Sequence, residues 1–131
     1  MKYALILTLL ASQFALASGW NCTERNKGPH HAKLTNHTDK PRVPAVFIVS
    51  DKSGTLVSAK NDGIKKKIVA NGVIYSGYGE DNYSASLFVQ YREGVEAPLE
   101  NGDVVFGNLT VTVEGESQSY KMDCARYLKN D

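Results

Sequence analysis

The two cysteines of this 131-residue chain, Cys22 and Cys124, stand near its opposite ends, and that placement constrains the fold more than any other feature. If their sulfurs bond, the first and last parts of the folded chain lie side by side. The segment leading to the second cysteine reads clearly. Leu109, Val111 and Val113 alternate with Thr110, Thr112 and Glu114, the period-two pattern of a strand with one buried face. Glu114-Gly115-Glu116-Ser117 reads as a turn, and the chain returns with Tyr120, Met122 and Cys124 on one side of a second strand. The stretch from Val104 to Leu128 is thus predicted to be a hairpin that ends in a thiol, and the natural partner of that thiol is Cys22.

Whether the sulfurs pair depends on the compartment. Residues 1 to 18 read as a secretory signal peptide: Lys2 is the basic n-region, Ala4 to Leu10 the apolar h-region, and Ala15-Leu16-Ala17 fits the small-x-small cleavage rule. The apolar run is well short of the roughly 20 residues of a spanning helix, so no membrane anchor is expected after cleavage. Cys22 lies several residues past the cut, which does not indicate lipidation. The expected mature chain begins near Ser18 or Gly19, in the periplasm or outside the cell. In such a compartment two cysteines pair. The chain-entropy model gives a loop this long about 4 to 5 kcal/mol. A redox or nucleophilic cysteine finds no support, because there is no C-x-x-C spacing and no histidine near Cys124.

The remaining residues suffice for one domain with one core. Residues 19–44 are polar and broken by Gly28-Pro29, Asp39-Lys40-Pro41 and Pro44, so they are expected to wrap the surface with one short edge strand around Ala32 to Asn36. Trp20, the single tryptophan, is expected to pack over an open end of the core beside the disulfide. Residues 45–131 carry the β domain. Strands are predicted over Ala45 to Ser50, Thr55 to Lys60, Ile64 to Ala70 and Val73 to Ser76, with Asn71-Gly72 the strongest hairpin signal. Tyr83 to Arg92 alternates cleanly, and Gly107 within Val104 to Val113 suggests a bulge or bend. Ala125 to Lys129 is compatible with a final helical turn. About seven strands and tight turns give an all-β fold, a single small antiparallel meander closed as a barrel or folded as a sandwich, with an N-to-C-terminal disulfide.

Fifteen basic and fourteen acidic side chains leave no field to attract nucleic acid or an anionic membrane. His30, His31 and His37, with Asp39 nearby, are weak candidates for zinc or copper, since their spacing matches no closed zinc pattern. Lys65-Lys66-Lys67 divides between the two faces of a strand and reads as an edge protected against aggregation. Gly77 to Asn82 reads as a mobile loop flanked by Tyr75, Tyr78 and Tyr83 and carrying Glu80 and Asp81, a composition suited to recognition. The loop lacks the alternating ligand spacing of a calcium site. Four Asn-x-Ser/Thr triplets, beginning at Asn21, Asn36, Asn82 and Asn108, are accounted for by chance in an Asn- and Thr-rich β protein.

There is no G-x-S-x-G, no H-E-x-x-H and no Gly-rich phosphate loop, so no enzyme activity and no cofactor are expected. The sequence points to a small exported binding domain. Its expected partner is another protein in the periplasm or outside the cell, which it would meet as an inhibitor or an envelope interaction module. Its expected recognition residues are Tyr75, Tyr78, Glu80, Asp81 and Tyr83. The competing readings are a β-barrel carrier of a small apolar ligand, which requires an interior cavity, and weak metal binding through the N-terminal histidines.

Overall fold

The computed structural model describes residues 15–37, 43–92 and 99–130. The h-region Ala4 to Leu10, the Asp39-Lys40-Pro41 break and the Gly94 to Pro98 part of the last long connection lie outside the described residues. Nine strands among the described residues form one antiparallel sheet. They are β1 (Ala15–Glu24), β2 (His31–His37), β3 (Val46–Asp51), β4 (Gly54–Lys60), β5 (Lys65–Val69), β6 (Gly72–Tyr78), β7 (Tyr83–Val89), β8 (Val104–Val113) and β9 (Glu116–Asn130). The spatial order is β4-β3-β2-β1-β9-β8-β7-β6-β5. Every neighbouring pair is consecutive in sequence except β1 and β9. The sheet edges, β4 and β5, are joined by the single 3-10 turn Asn61–Gly63, so the sheet must curl on itself. It is the predicted all-β meander, built as a half-barrel and not as two stacked sheets.

Cys22 and Cys124 are bonded, and they face each other directly across the β1–β9 ladder with their Cα atoms 4.0 Å apart. Inward-facing residues form rows that continue from strand to strand. One runs Arg126, Trp20, Leu34, Phe47, Ala59, and the next runs Cys124, Cys22, Ala32, Val49, Val57. Trp20, Phe47, Leu87, Leu109 and Met122 are fully buried, and each large apolar side chain contributes about 1.5–3 kcal/mol by leaving water.

Five expectations are corrected. Residues 19–44 are not a surface wrap with an edge strand: β1 pairs with β2 and β9, and β2 pairs with β1 and β3, so both lie inside the sheet. Each supplies only two large or buried inward positions, Trp20 and Cys22 on β1 and Ala32 and Leu34 on β2, between polar outward ones. Their alternation is therefore present but thinly apolar. Ala125 to Lys129 continues β9 instead of turning helical, because β1 supplies backbone partners through Asn130.

Gly107 causes no bulge, and its pairing with Met122 stays in register. A Cβ there would lie 2.5 Å from the Cys124 sulfur, so the glycine makes room for the disulfide. The β5–β6 hairpin turns on Ala70 and Asn71, one residue earlier than Asn71-Gly72. Gly72 already belongs to β6, where a side chain would collide with the Val89 carbonyl.

The stretch read as a mobile loop is a tight hairpin. β6 extends through Tyr78, the Tyr83 N–H donates to the Glu80 carbonyl at 3.0 Å, and Asp81 and Asn82 take left-handed φ values of 56° and 63°. Its glycines serve close approach. A Cβ on Gly77 would come within 2.7 Å of the Ala59 Cβ, and one on Gly79 would strike the Leu56 carbonyl oxygen, so β6 lies directly against β4. β5 is an edge strand, as the lysine run predicts.

Alkylation under denaturing, non-reducing conditions is expected to label neither cysteine, and replacing both with serine is expected to cost about 4–5 kcal/mol of stability. Gly79→Ala is expected to force β4 and β6 apart and lower stability by about 1–3 kcal/mol. Gly63→Ala, whose new Cβ would meet only the Ala59 Cβ at 3.8 Å, is expected to stay within about 0.5 kcal/mol. Urea denaturation of the three variants against the wild type measures all of these stabilities.

Candidate functional site

Strand parity decides which side chains share a surface. On β6, Val73, Tyr75 and Gly77 point into the curl, and Ile74, Ser76 and Tyr78 point out. On β7, Tyr83, Ala85 and Leu87 point in, and Ser84, Ser86 and Phe88 point out. The five residues expected to bind a partner are therefore divided. Tyr75 and Tyr83 are half-buried and packed against the core, so they do not share a surface with Tyr78. Tyr78 is 76% exposed, and Glu80 and Asp81 are exposed at the tip of the same hairpin.

The outer face beside Tyr78 is built from three rows, one crossing β6 to β9 and two crossing β5 to β9. Tyr78 pairs with Ser84, then Thr112 and Ser117. The next row is Lys65, Ser76, Ser86, Thr110 and Ser119, and the third is Lys67, Ile74, Phe88, Asn108 and Lys121. Thr110 and Ser119 share a hydroxyl hydrogen bond of 2.9 Å, and Thr112 and Ser117 share one of 2.7 Å. These cross-strand bonds fix the hydroxyls without covering them.

A shallow concavity of about 530 Å³ lies on this face, lined by Lys65, Lys67, Tyr78, Ser84, Ser86 and Thr112 among others. A second, of about 450 Å³, runs from the other side of Tyr78 to Thr55, Leu56 and Ser58 of β4. Tyr78 stands on the ridge between them. β5 to β8 contain no Asp or Glu, so Lys65 and Lys67 meet no carboxylate from these strands. The arrangement presents ammonium groups, hydroxyls and one exposed ring, which suits binding to an acidic, partly apolar surface.

The histidines are drawn apart. His31 begins β2 and His37 ends it, and six residues of extended strand span about 20 Å. The side chain of His37, like Asp39, lies outside the described residues. His30 is taken up in a structural contact: its Nδ1 lies 2.6 Å from Glu24 Oε1 and its ring stacks on Tyr120 at 3.8 Å. Among the described residues, no three His, Cys, Asp or Glu side chains converge as a metal would require. At the β3–β4 turn, the hydrogen bond from the Ser53 hydroxyl (2.5 Å) lowers the Asp51 carboxyl from its ordinary value, opposed by burial and helped by the Ser53 N–H (2.8 Å).

Sequence reasoning passed over Arg126. Parity counted from the inward-facing Cys124 places it inside, and its guanidinium carbon sits 4.7 Å over the Trp20 ring and 5.4 Å over Tyr91. Trp20 and Tyr91 meet edge to face at 5.5 Å. Trp20 thus packs beneath a cation at one end of the core, one row from the disulfide. No helix among the described residues is long and apolar enough to cross a membrane. Comparison with known proteins returns no matching protein family, no similar curated protein and no similar solved structure.

Proposed function

We propose that this chain is exported through cleavage of residues 1–18 and acts, without catalysis, as a small binding domain for another protein in the periplasm or outside the cell. The observation that carries the reading is the exposure of Tyr78 on the ridge between two concavities, beside the carboxylate-free strands β5 to β8. Exposed tyrosine offers a large contact area at small rotamer cost, and an interface centred on one aromatic anchor concentrates its energy there. Lys65 and Lys67 favour a partner surface that carries carboxylates, which raises the association rate and selects orientation. The Cys22–Cys124 bond fits an oxidising compartment. Cleavage after Ser18 would leave β1 starting at Gly19, with its pairing to β9 from Tyr127 back to Met122 intact.

A continuous lumen for an apolar ligand is disfavoured by the filled middle of the curl, where Trp20, Phe47, Leu87, Leu109 and Met122 are all buried. The test is a pull-down with the mature protein from its own cell envelope and surroundings, followed by affinity measurement on the captured protein. Tyr78→Ala is expected to weaken that affinity by about thirtyfold, the cost of an anchor worth about 2 kcal/mol, while the melting temperature stays nearly unchanged. Lys65→Glu with Lys67→Glu is expected to slow association and abolish its salt dependence. Full affinity in all of these variants would place the recognition surface elsewhere.

A further inference from the structure

The end of the curl opposite the β6–β7 hairpin holds a cavity of about 390 Å³, within the range of small-molecule sites. Its chemistry differs from that of the outer face. Arg126 and Lys66 line it together with Tyr75, Tyr91, Leu34 and Asn36, and no Asp or Glu is among its lining residues. It carries one cation on β9 and one on β5, with aromatic, aliphatic and amide side chains between.

Arg126 is held there firmly. Its N–H donates to the Asp103 carbonyl at 2.7 Å, and its own carbonyl accepts from the Gly102 N–H at 2.8 Å. Its guanidinium lies over two rings, which offsets part of the loss of water by attraction to their π faces. That stacking does nothing for the in-plane donors. The Nε atom is buried and meets no hydrogen-bond partner among the described residues. The carboxylate contacts of Arg25 with Asp123 and of His30 with Glu24 lie elsewhere in the molecule and do not involve Arg126. The Nε atom is shut off from the cavity, but the rest of Arg126 lines it and no acidic residue does, so an anion entering there would meet a positive potential. A planar carboxylate matches the donor edge of a guanidinium better than any neutral group.

We propose that this end cavity binds a small amphipathic carboxylic acid, with the carboxylate on Arg126 and the apolar body against Tyr75, Tyr91 and Leu34. The site goes beyond the outer-face reading and does not depend on it. Lys66 adds positive potential at the β5 side of the opening, and Asn36 closes the polar rim. Ligand and protein partner would occupy different surfaces of one domain.

Trp20 is the only tryptophan and lies directly beneath Arg126, so its emission reports on the site. The experiment titrates the mature protein with decanoate, with the uncharged isostere decanamide and with inorganic phosphate, following Trp20 fluorescence. The expected result is saturable binding of decanoate below millimolar concentration, at least tenfold weaker binding of decanamide, and no saturation by phosphate. Arg126→Gln should lose at least tenfold in decanoate affinity and leave decanamide unchanged, and Lys66→Gln should lose about threefold. Absence of saturation by decanoate, equal binding of decanamide, or saturation by phosphate alone would each overturn the proposal. So would wild-type decanoate affinity in folded Arg126→Gln. If Arg126→Gln does not unfold cooperatively, the comparison rests on Lys66→Gln, and unchanged affinity there overturns it.

Discussion

The pairing of β1 with β9 is the interaction on which the rest of the structure depends. Every other ladder joins strands that follow one another in the chain, with connections from two to a dozen or so residues long, and forms at small cost in loop entropy. The β1–β9 ladder alone brings together segments about a hundred residues apart. Without it the molecule would be a four-strand meander and a separate five-strand meander with four exposed edges. With it the meanders become one sheet, and the disulfide between directly opposed residues fixes its register. A shift by a single residue would turn Trp20 and Met122 to solvent, so covalent bond and apolar pattern specify the same alignment.

The remaining geometry follows from curling that sheet. Its two edges are tied by a three-residue turn, yet β4 lies against β6 and not in a ladder with β5. Gly77 and Gly79 permit this contact by presenting bare backbone to Ala59 and Leu56. Because the inward positions flanking Tyr78 are glycines pressed against β4, the ring of Tyr78 has only the outer face to occupy. The candidate recognition surface is thus a by-product of how the curl is closed. At the other end, the inward row that contains Trp20 finishes in Arg126, and the core passes from apolar to cationic within a single row.

Much of this was legible in the residues. The alternation of β7 and β8 is where the pattern puts it, because most inward positions, Leu87, Val89, Leu109, Val111 and Val113 among them, are large and apolar. The turn falls on the first two residues of the predicted Glu114 to Ser117, with β9 already begun at Glu116. β1 and β2 escaped because Cys22, Ala32 and a lone Trp20 do not look like a hydrophobic stripe, although they are one. Gly77-Tyr78-Gly79 was misread for a physical reason: glycine marks both mobile backbone and intimate contact, and only the neighbour across the curl distinguishes them. Exposure of Tyr78 follows from the sequence by the same glycines. The grouping of Tyr75 with Tyr78 does not, since residues three apart on a strand face opposite ways. Arg126 was readable by parity from Cys124, but a charged residue near the end of a chain draws attention only once its surroundings are known.

The position of the disulfide also governs how the molecule bears load. Tension applied at Ser18 and Leu128 peels the β1–β9 ladder open one pair at a time, the weakest way to load a sheet, and it reaches Cys22 after three further pairs. There the force passes into a covalent bond. All strands from β2 to β8 lie inside the loop that this bond closes, so they are mechanically shielded. A domain pulled by its ends would lengthen by a few residues and stop, with its core, its outer face and the Tyr78 ridge still in place.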